Sequence, residues 1–178
     1  MKIIKKILIG VLGLIILLLV IALFIPKTYT VSVSETINKP KQEVFDYIKL
    51  IKNQEKYSVW VMQDPNVALT YTGTDGTVGF IAAWNSTDNN VGEGEQQISK
   101  ITDGERIDVD LRFKRPFEGE QKAATFVKAI SANQTIVTNE FYGNAPYPFN
   151  LLSVCLGKGF IKDAQTQNLK NLKALLEK

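Results

Sequence analysis

Side chains able to do covalent or acid–base chemistry are few in this sequence. It contains no histidine. That removes the commonest general base and the commonest zinc ligand, and with them any Ser–His or Cys–His nucleophile. Cys155 is the single cysteine. It has no partner for a disulfide or a thiolate metal site, and its apolar neighbours read as the setting of a small buried residue. Glu93 and Glu95 are two apart, so a regular strand would put both on one face. They read as sheet-edge or solvent carboxylates rather than as a catalytic pair. Asp75 and Asp88 lack calcium-loop spacing. Gly92-x-Gly94 lacks the third glycine and the following helix of a nucleotide-binding loop. No catalytic residue, metal ligand or cofactor is assigned.

Apolar lining is what the chain does supply. Arg106 to Lys114 alternates cleanly. Ile107, Val109, Leu111 and Phe113 face one way, while Asp108, Asp110, Arg112 and Lys114 face the other, as in a sheet covered on one side. Phe80, Trp84, Phe126 and Phe141 lie on other predicted strands, and Trp60 lies in a helical stretch placed to cover one end. Asn139 falls in phase with Val137 and Phe141, so an inward face would carry its amide into the same space to meet a ligand carbonyl or hydroxyl, or a water. Trp60, Phe80, Trp84, Val109, Leu111, Phe113, Phe126, Asn139 and Phe141 are therefore the expected lining of a ligand cavity.

These residues need elements to position them. A long amphipathic helix is predicted over 160–176, with Ile161, Leu169, Leu172 and Leu176 on one face and Ala164 and Leu175 at its edges. Lysines and amides occupy the opposite face, with Lys170, Lys173 and Lys178 at the negative end of the helix dipole. Upstream, residues 28–37 alternate as a strand, Asn38-Lys39-Pro40 breaks it, and Val44, Phe45, Ile48 and Ile51 mark the inner face of a helix over 41–52. Residues 53–65 form a shorter helical or turn segment. Strands follow near 67–71, 78–84, 91–101, 106–114, 121–130 and 135–142, with turn signals at Gly73-Thr74-Asp75-Gly76 and Asp103-Gly104. Gly92 and Gly94 mark a bulge or a close backbone approach.

The N-terminus is a separate matter. Residues 7–25 are 19 consecutive uncharged residues, enough to cross a bilayer core at about 1.5 Å per residue. A secretory signal shares the basic start and the small Ala22, but its apolar core is shorter and would not continue through Leu23-Phe24-Ile25. An uncleaved single-pass anchor over 1–27 is expected, followed by one domain over 28–178. Lys2, Lys5 and Lys6 favour a cytoplasmic N-terminus and an extracytoplasmic domain. They also account for the formal net charge of +3. Without these three, the remaining Lys and Arg equal the 18 Asp and Glu, and no basic stripe remains to hold nucleic acid.

The order of elements is strand, two short helices, six strands and a long C-terminal helix. The stretches I-N-K-P-K-Q-E-V-F-D-Y-I at 37–48, Y-S-V-W at 57–60, G-T-V-G-F-I-A-A-W at 76–84, G-E-G-E-Q-Q-I at 92–98 and the terminal L-K-N-L-K-A-L-L-E belong to it. This pattern resembles the START-like (SRPBCC) superfamily, in particular its polyketide cyclase/dehydrase and lipid transport branch. The resemblance covers most of 28–178 and is one of fold rather than of catalytic motifs. It implies an α+β helix-grip fold, a curved antiparallel sheet of about seven strands around the C-terminal helix, with a hydrophobic cavity between them. With the anchor, the cavity that the resemblance implies and the missing catalytic side chains, the expected function is a membrane-tethered binding or carrier domain for a hydrophobic or amphipathic small molecule, a lipid among them. The alternatives are a cyclase- or dehydratase-like enzyme, for which the family name is the support, and an interaction module with a filled core.

Overall fold

The computed structural model describes residues 2–178. Helix α1 (Lys2–Phe24) is followed by strand β1 (Thr28–Ile37), helix α2 (Lys41–Lys49), a 3-10 turn (Ile51–Lys56) and the short helix α3 (Val59–Met62). Strands β2 (Ala68–Thr72), β3 (Ile81–Asn85), β4 (Glu93–Thr102), β5 (Arg106–Arg115), β6 (Gly119–Ser131) and β7 (Gln134–Asn144) come next. The chain ends in α4 (Asn150–Leu152), a π-helical stretch (Ser153–Gly157) and α5 (Lys158–Leu176). The residues at these junctions keep right-handed helical torsions, so 150–176 is one continuous helix with a widened turn.

The seven strands form one curved antiparallel sheet in the order β1-β7-β6-β5-β4-β3-β2. Its register fixes which side chains share a face. Leu111 lies opposite Gln96, Phe113 opposite Gly94, and Gly94 opposite Trp84. Val127 lies opposite Val137, and Phe141 opposite Val31. All of these point toward the C-terminal helix. The sheet bends at Gly94, beside a register shift in β4. A Cβ there would sit 2.6 Å from the Arg112 carbonyl and 2.6 Å from the Trp84 ring, so only glycine lets the strand and the indole come together.

Helix α5 is held at its C-terminal half. Leu169 and Leu172 are fully buried against Val33, Ile37, Val44, Phe45 and Ile48. Polar ties reinforce the packing. Lys173 Nζ donates to the Thr36 carbonyl at 2.6 Å and pairs with Glu35 at 3.0 Å, and the Asn38 N–H donates to Glu177 at 2.6 Å. Asn168 and Asn171 depart from the expected outer face, on which Gln167 remains. Asn168 is buried, and its Oδ1 accepts the Val59 N–H at 2.7 Å, a donor at the start of α3 that the local sequence leaves uncapped. Asn171 Nδ2 donates to the Tyr57 carbonyl at 3.0 Å. These short side chains tie α5 to the 51–62 connection rather than facing water. Lys173 likewise makes specific contacts, while Lys162, Gln167 and Lys170 stay exposed on the solvated face.

Two other expectations change. Cys155 is exposed rather than buried, because the π-helical turn carries it to the outer side of the helix. The apolar run 78–84 is a strand only from Ile81, since Gly79 has φ +91° and bends the chain out of pleated geometry.

The helix placement gives a direct expectation. Leu172→Ala should cost about 2–5 kcal/mol in denaturant unfolding of the full chain in detergent, as for other fully buried leucines. Lys170→Ala should stay within about 0.5 kcal/mol of the parent. Equal losses in the two variants would contradict the assigned buried face.

Candidate functional site

Between the sheet and the first half of α5 lies a cavity of about 320 Å³. The 3-10 turn and α3 close one side with Ile51, Trp60 and Val61, and Phe160 and Ile161 of α5 form the roof. The floor is the inward face of the sheet, with Leu69, Ala82, Trp84, Leu111, Phe113 and Phe141. A smaller space of about 90 Å³ adjoins it and shares Ile51, Gln54, Gln96 and Leu111. The gap persists because α5 meets the sheet through bulky side chains only from Gln165 onward. Its earlier turns offer Phe160 and Ile161, and Phe160 is spent on Trp60, edge to face at 5.2 Å.

Seven of the nine expected lining residues border this space. Trp60, Trp84, Phe113 and Phe141 line the larger cavity, Val109 and Asn139 the smaller one, and Leu111 both. Trp84 and Phe113 pack edge to face at 5.8 Å, with the indole N–H held by the Val91 carbonyl at 3.2 Å. Asn139 Nδ2 donates to Gln165 on α5 at 2.9 Å, and its Oδ1 accepts from Thr125 at 3.0 Å. Its hydrogen-bonding capacity is thus spent mainly on bridging the sheet to the helix.

Phe80 and Phe126 lie elsewhere. Phe80 is 1% exposed and stacks on Tyr71 at 6.0 Å; it faces inward in phase with Ala82 and Trp84, but lies in the packed core with Ile98 beyond the cavity wall. Phe126 sits on the outer face of the sheet under the Arg106 guanidinium, 4.5 Å from its ring. Its alternation with inward Val127, and its phase with Lys122 and Lys128, carry that information in the sequence.

Polar groups gather on the side of the cavity formed by the 3-10 turn. Gln54 and Gln96 bond amide to amide at 2.8 Å, and the Tyr71 hydroxyl donates to Glu55. Burial, and then the hydrogen bond and charge of Glu55, push the Tyr71 phenol well above its ordinary range, so it stays protonated at neutral pH. Lys52 Nζ lies 4.7 Å from the Tyr71 ring centre. These residues carry no motif, and only the phase of Gln96 with Ile98 and of Tyr71 with Leu69 would have found them.

Apart from Glu55 and Arg115, which border the cavity, the charged residues lie outside. Arg112 bonds Glu95 at 2.6 Å and Gln97 at 2.8 Å, and Arg106 bonds Asp108 through two nitrogens. Glu93 is flanked by Arg115 at 3.1 Å and Lys114 at 3.5 Å, and the Arg115 hydrogen bond holds its carboxyl below the usual range. Asp75 accepts the Ile51 and Lys52 N–H groups at 2.8 and 3.1 Å, capping the 3-10 turn from the β2–β3 loop.

No family model and no curated protein matches the sequence. Solved structures do. A norcoclaurine synthase point mutant from Thalictrum, in complex with a transition-state analogue, superposes with a TM-score of 0.62 at 11% identity, over 84% of this chain and 94% of that one. Protein CV1439 from Chromobacterium violaceum gives a TM-score of 0.59 at 15% identity, over 84% and 97%. Ara h 8.0201 gives a TM-score of 0.58 at 11% identity, over 84% and 97%. At these identities the likeness is one of fold, and the fold is the helix-grip arrangement of a curved antiparallel sheet around a long C-terminal helix.

Proposed function

We propose that the protein is a membrane-tethered binding or carrier domain of the START-like superfamily, with residues 1–27 as anchor and 28–178 as the ligand-holding domain. The observation that carries this reading is the cavity itself. Apolar and aromatic side chains line it, and two amides and a phenol–carboxylate pair mark one side. That is the usual make-up of a small-molecule site, where apolar walls supply affinity and a few polar groups set orientation. A volume of about 320 Å³ is small for such sites. It suits one acyl chain or a compact ring system, with its polar end toward Gln54 and Gln96. The fold's neighbours support a small-molecule guest, since one of them is solved with a transition-state analogue. The 23-residue α1 supports the tether. It is long and apolar enough to cross a membrane, with its side chains almost entirely unpacked.

Leu111→Trp tests the pocket, because Leu111 borders both spaces. In a solid core such overpacking costs about 1–3 kcal/mol. In an open cavity the added bulk should leave the melting temperature near that of the parent and abolish binding of a fluorescent fatty acid. Lost stability, with no binding even in the parent, would mean that these side chains are filled core.

A second reading rests on Tyr71 and Glu55, the one hydrogen-bonded acid–base pair that lines the cavity. A cyclase- or dehydratase-like enzyme would place its proton transfer there. In the carrier reading, Tyr71→Phe and Glu55→Gln should each change probe affinity by less than about tenfold, or 1.4 kcal/mol. Turnover of a polyketide-type substrate by the parent, lost in both variants, would favour the enzyme.

Sidedness is tested at the β6–β7 turn. Ala132→Cys in a Cys155→Ser background removes the exposed native thiol. With the domain outside, Ala132→Cys should react with an impermeant thiol reagent on intact cells. Labelling only after lysis would place the domain in the cytoplasm.

A further inference from the structure

The start of the C-terminal helix is unlike the rest of it. Phe149, Leu152, Leu156 and Phe160 are 57–69% exposed. Their i, i+3, i+7 and i+11 spacing, with the i+4 step from Leu152 to Leu156 spanning the widened turn, puts them on one side of the helix. No core residue covers this stripe. Phe117, on the β5–β6 turn, is 82% exposed beside Pro116, which lines the cavity. Isolated exposed leucines are ordinary, but a contiguous set of large side chains on one face marks a contact surface.

Position tells what the contact is. The Asn150 side chain is buried, and its Nδ2 donates to the carbonyls of Ala22 at 2.7 Å and Ile25 at 2.8 Å. Those carbonyls belong to the open C-terminal end of α1, so Asn150 caps the proposed membrane helix. The Ala145 N–H donates to the Lys27 carbonyl at 2.8 Å, a second tie across the same junction. The stripe therefore begins where α1 ends. The sheet register puts the cavity at that end too. Thr28 pairs with Asn144, Phe113 with Gly119, and Glu93 with both Asn85 and Arg115. The start of β1, the β5–β6 turn and the β3–β4 loop thus share the α1 side, and Val91, Arg115 and Pro116 from that side line the cavity. The other end of α5 lies far away, tied through Glu177 to Asn38.

Charge agrees with a lipid surface. Residues 145–162 contain no acid, and their only charges are Lys158 and Lys162. Tyr147, 40% exposed beside the α1 junction, is of the type enriched at membrane–water boundaries.

Resting on the tethered-carrier reading, we infer that Phe149, Leu152, Leu156, Phe160 and Phe117 form a bilayer-contacting surface at the mouth of the cavity, so that the cavity opens to lipid. Phe160 belongs both to the stripe and to the cavity roof, and its ring packs against Trp60. An apolar guest leaving the interfacial layer would meet apolar side chains without a break, and the Trp60–Phe160 pair is the point it must pass.

The test is spin labelling of the full chain in vesicles of phosphatidylcholine and phosphatidylglycerol, in a Cys155→Ser background. Nitroxides at Leu152→Cys and Phe117→Cys should be open to oxygen and shielded from a water-soluble nickel chelate. Their oxygen-to-nickel accessibility ratio should exceed that of Ala132→Cys, at the far end of the sheet, by about tenfold. A label at Leu152 as open to nickel as Ala132 would overturn the inference. So would a label shielded from both relaxants, the mark of burial against a second copy of the chain. Fatty-acid probe binding is measured in the same vesicles. Binding with water-exposed labels would overturn only the membrane contact, whereas immersed labels without binding would uphold the contact and remove the pocket reading.

Discussion

Leu169 and Leu172 decide where the C-terminal helix sits, and much of the structure follows from that seat. Both are fully buried against β1 and α2, which clamps the second half of α5 to the sheet. Asn168 and Asn171 then bind the 51–62 connection to the same stretch of helix. A helix fixed so firmly at one end keeps its line, and the sheet curves away beneath its other end. Protein interiors are close-packed, so a space of about 320 Å³ persists only if the surrounding elements cannot collapse into it. Here the clamp, the bend at Gly94 and the Trp60–Phe160 contact hold the walls apart.

The two faces of the sheet divide the chemistry. Outside, cations and carboxylates pair across strands, as Arg112 does with Glu95 and Arg106 with Asp108. Exposed pairs of this kind add little stability each, but they keep charge out of the interior. Inside, the polar groups are amides and hydroxyls, nearly all with partners, while the Tyr71–Glu55 bond lies at the edge, on the exposed side of the 3-10 turn. Burying them is tolerable because they are hydrogen-bonded. Such an interior favours an apolar guest with one polar end, and it places no histidine, metal cluster or activated thiol beside it among the described residues.

Much of this was legible in the chain. The alternation of Ile107, Val109, Leu111 and Phe113 against charged neighbours named the dry face of β5, because strand periodicity leaves one choice. The α5 stripe and the apolar N-terminal run were legible for the same reason: each is a long, regular pattern. One failure came where a local device broke the period. A π-helical turn brought Cys155 to the surface, while Phe80 faces inward as its phase predicts but at the end of the sheet that is packed solid. Asn168 and Asn171 of α5 were misread because a short polar side chain suits solvent and a backbone cap equally, and only the tertiary position of Val59 separates the two. Gln54, Glu55 and Gln96 were missed as site residues because the 51–62 connection folds over the sheet through contacts that no local pattern announces.

The claim on which the rest stands is that the space between sheet and helix holds a guest. Native mass spectrometry of the full chain, purified in detergent from the cells that make it, measures this directly. The account predicts the chain mass plus one small apolar molecule, recoverable by organic extraction and compact enough for about 320 Å³. A bare chain mass, under conditions in which a reference carrier keeps its ligand, would contradict it.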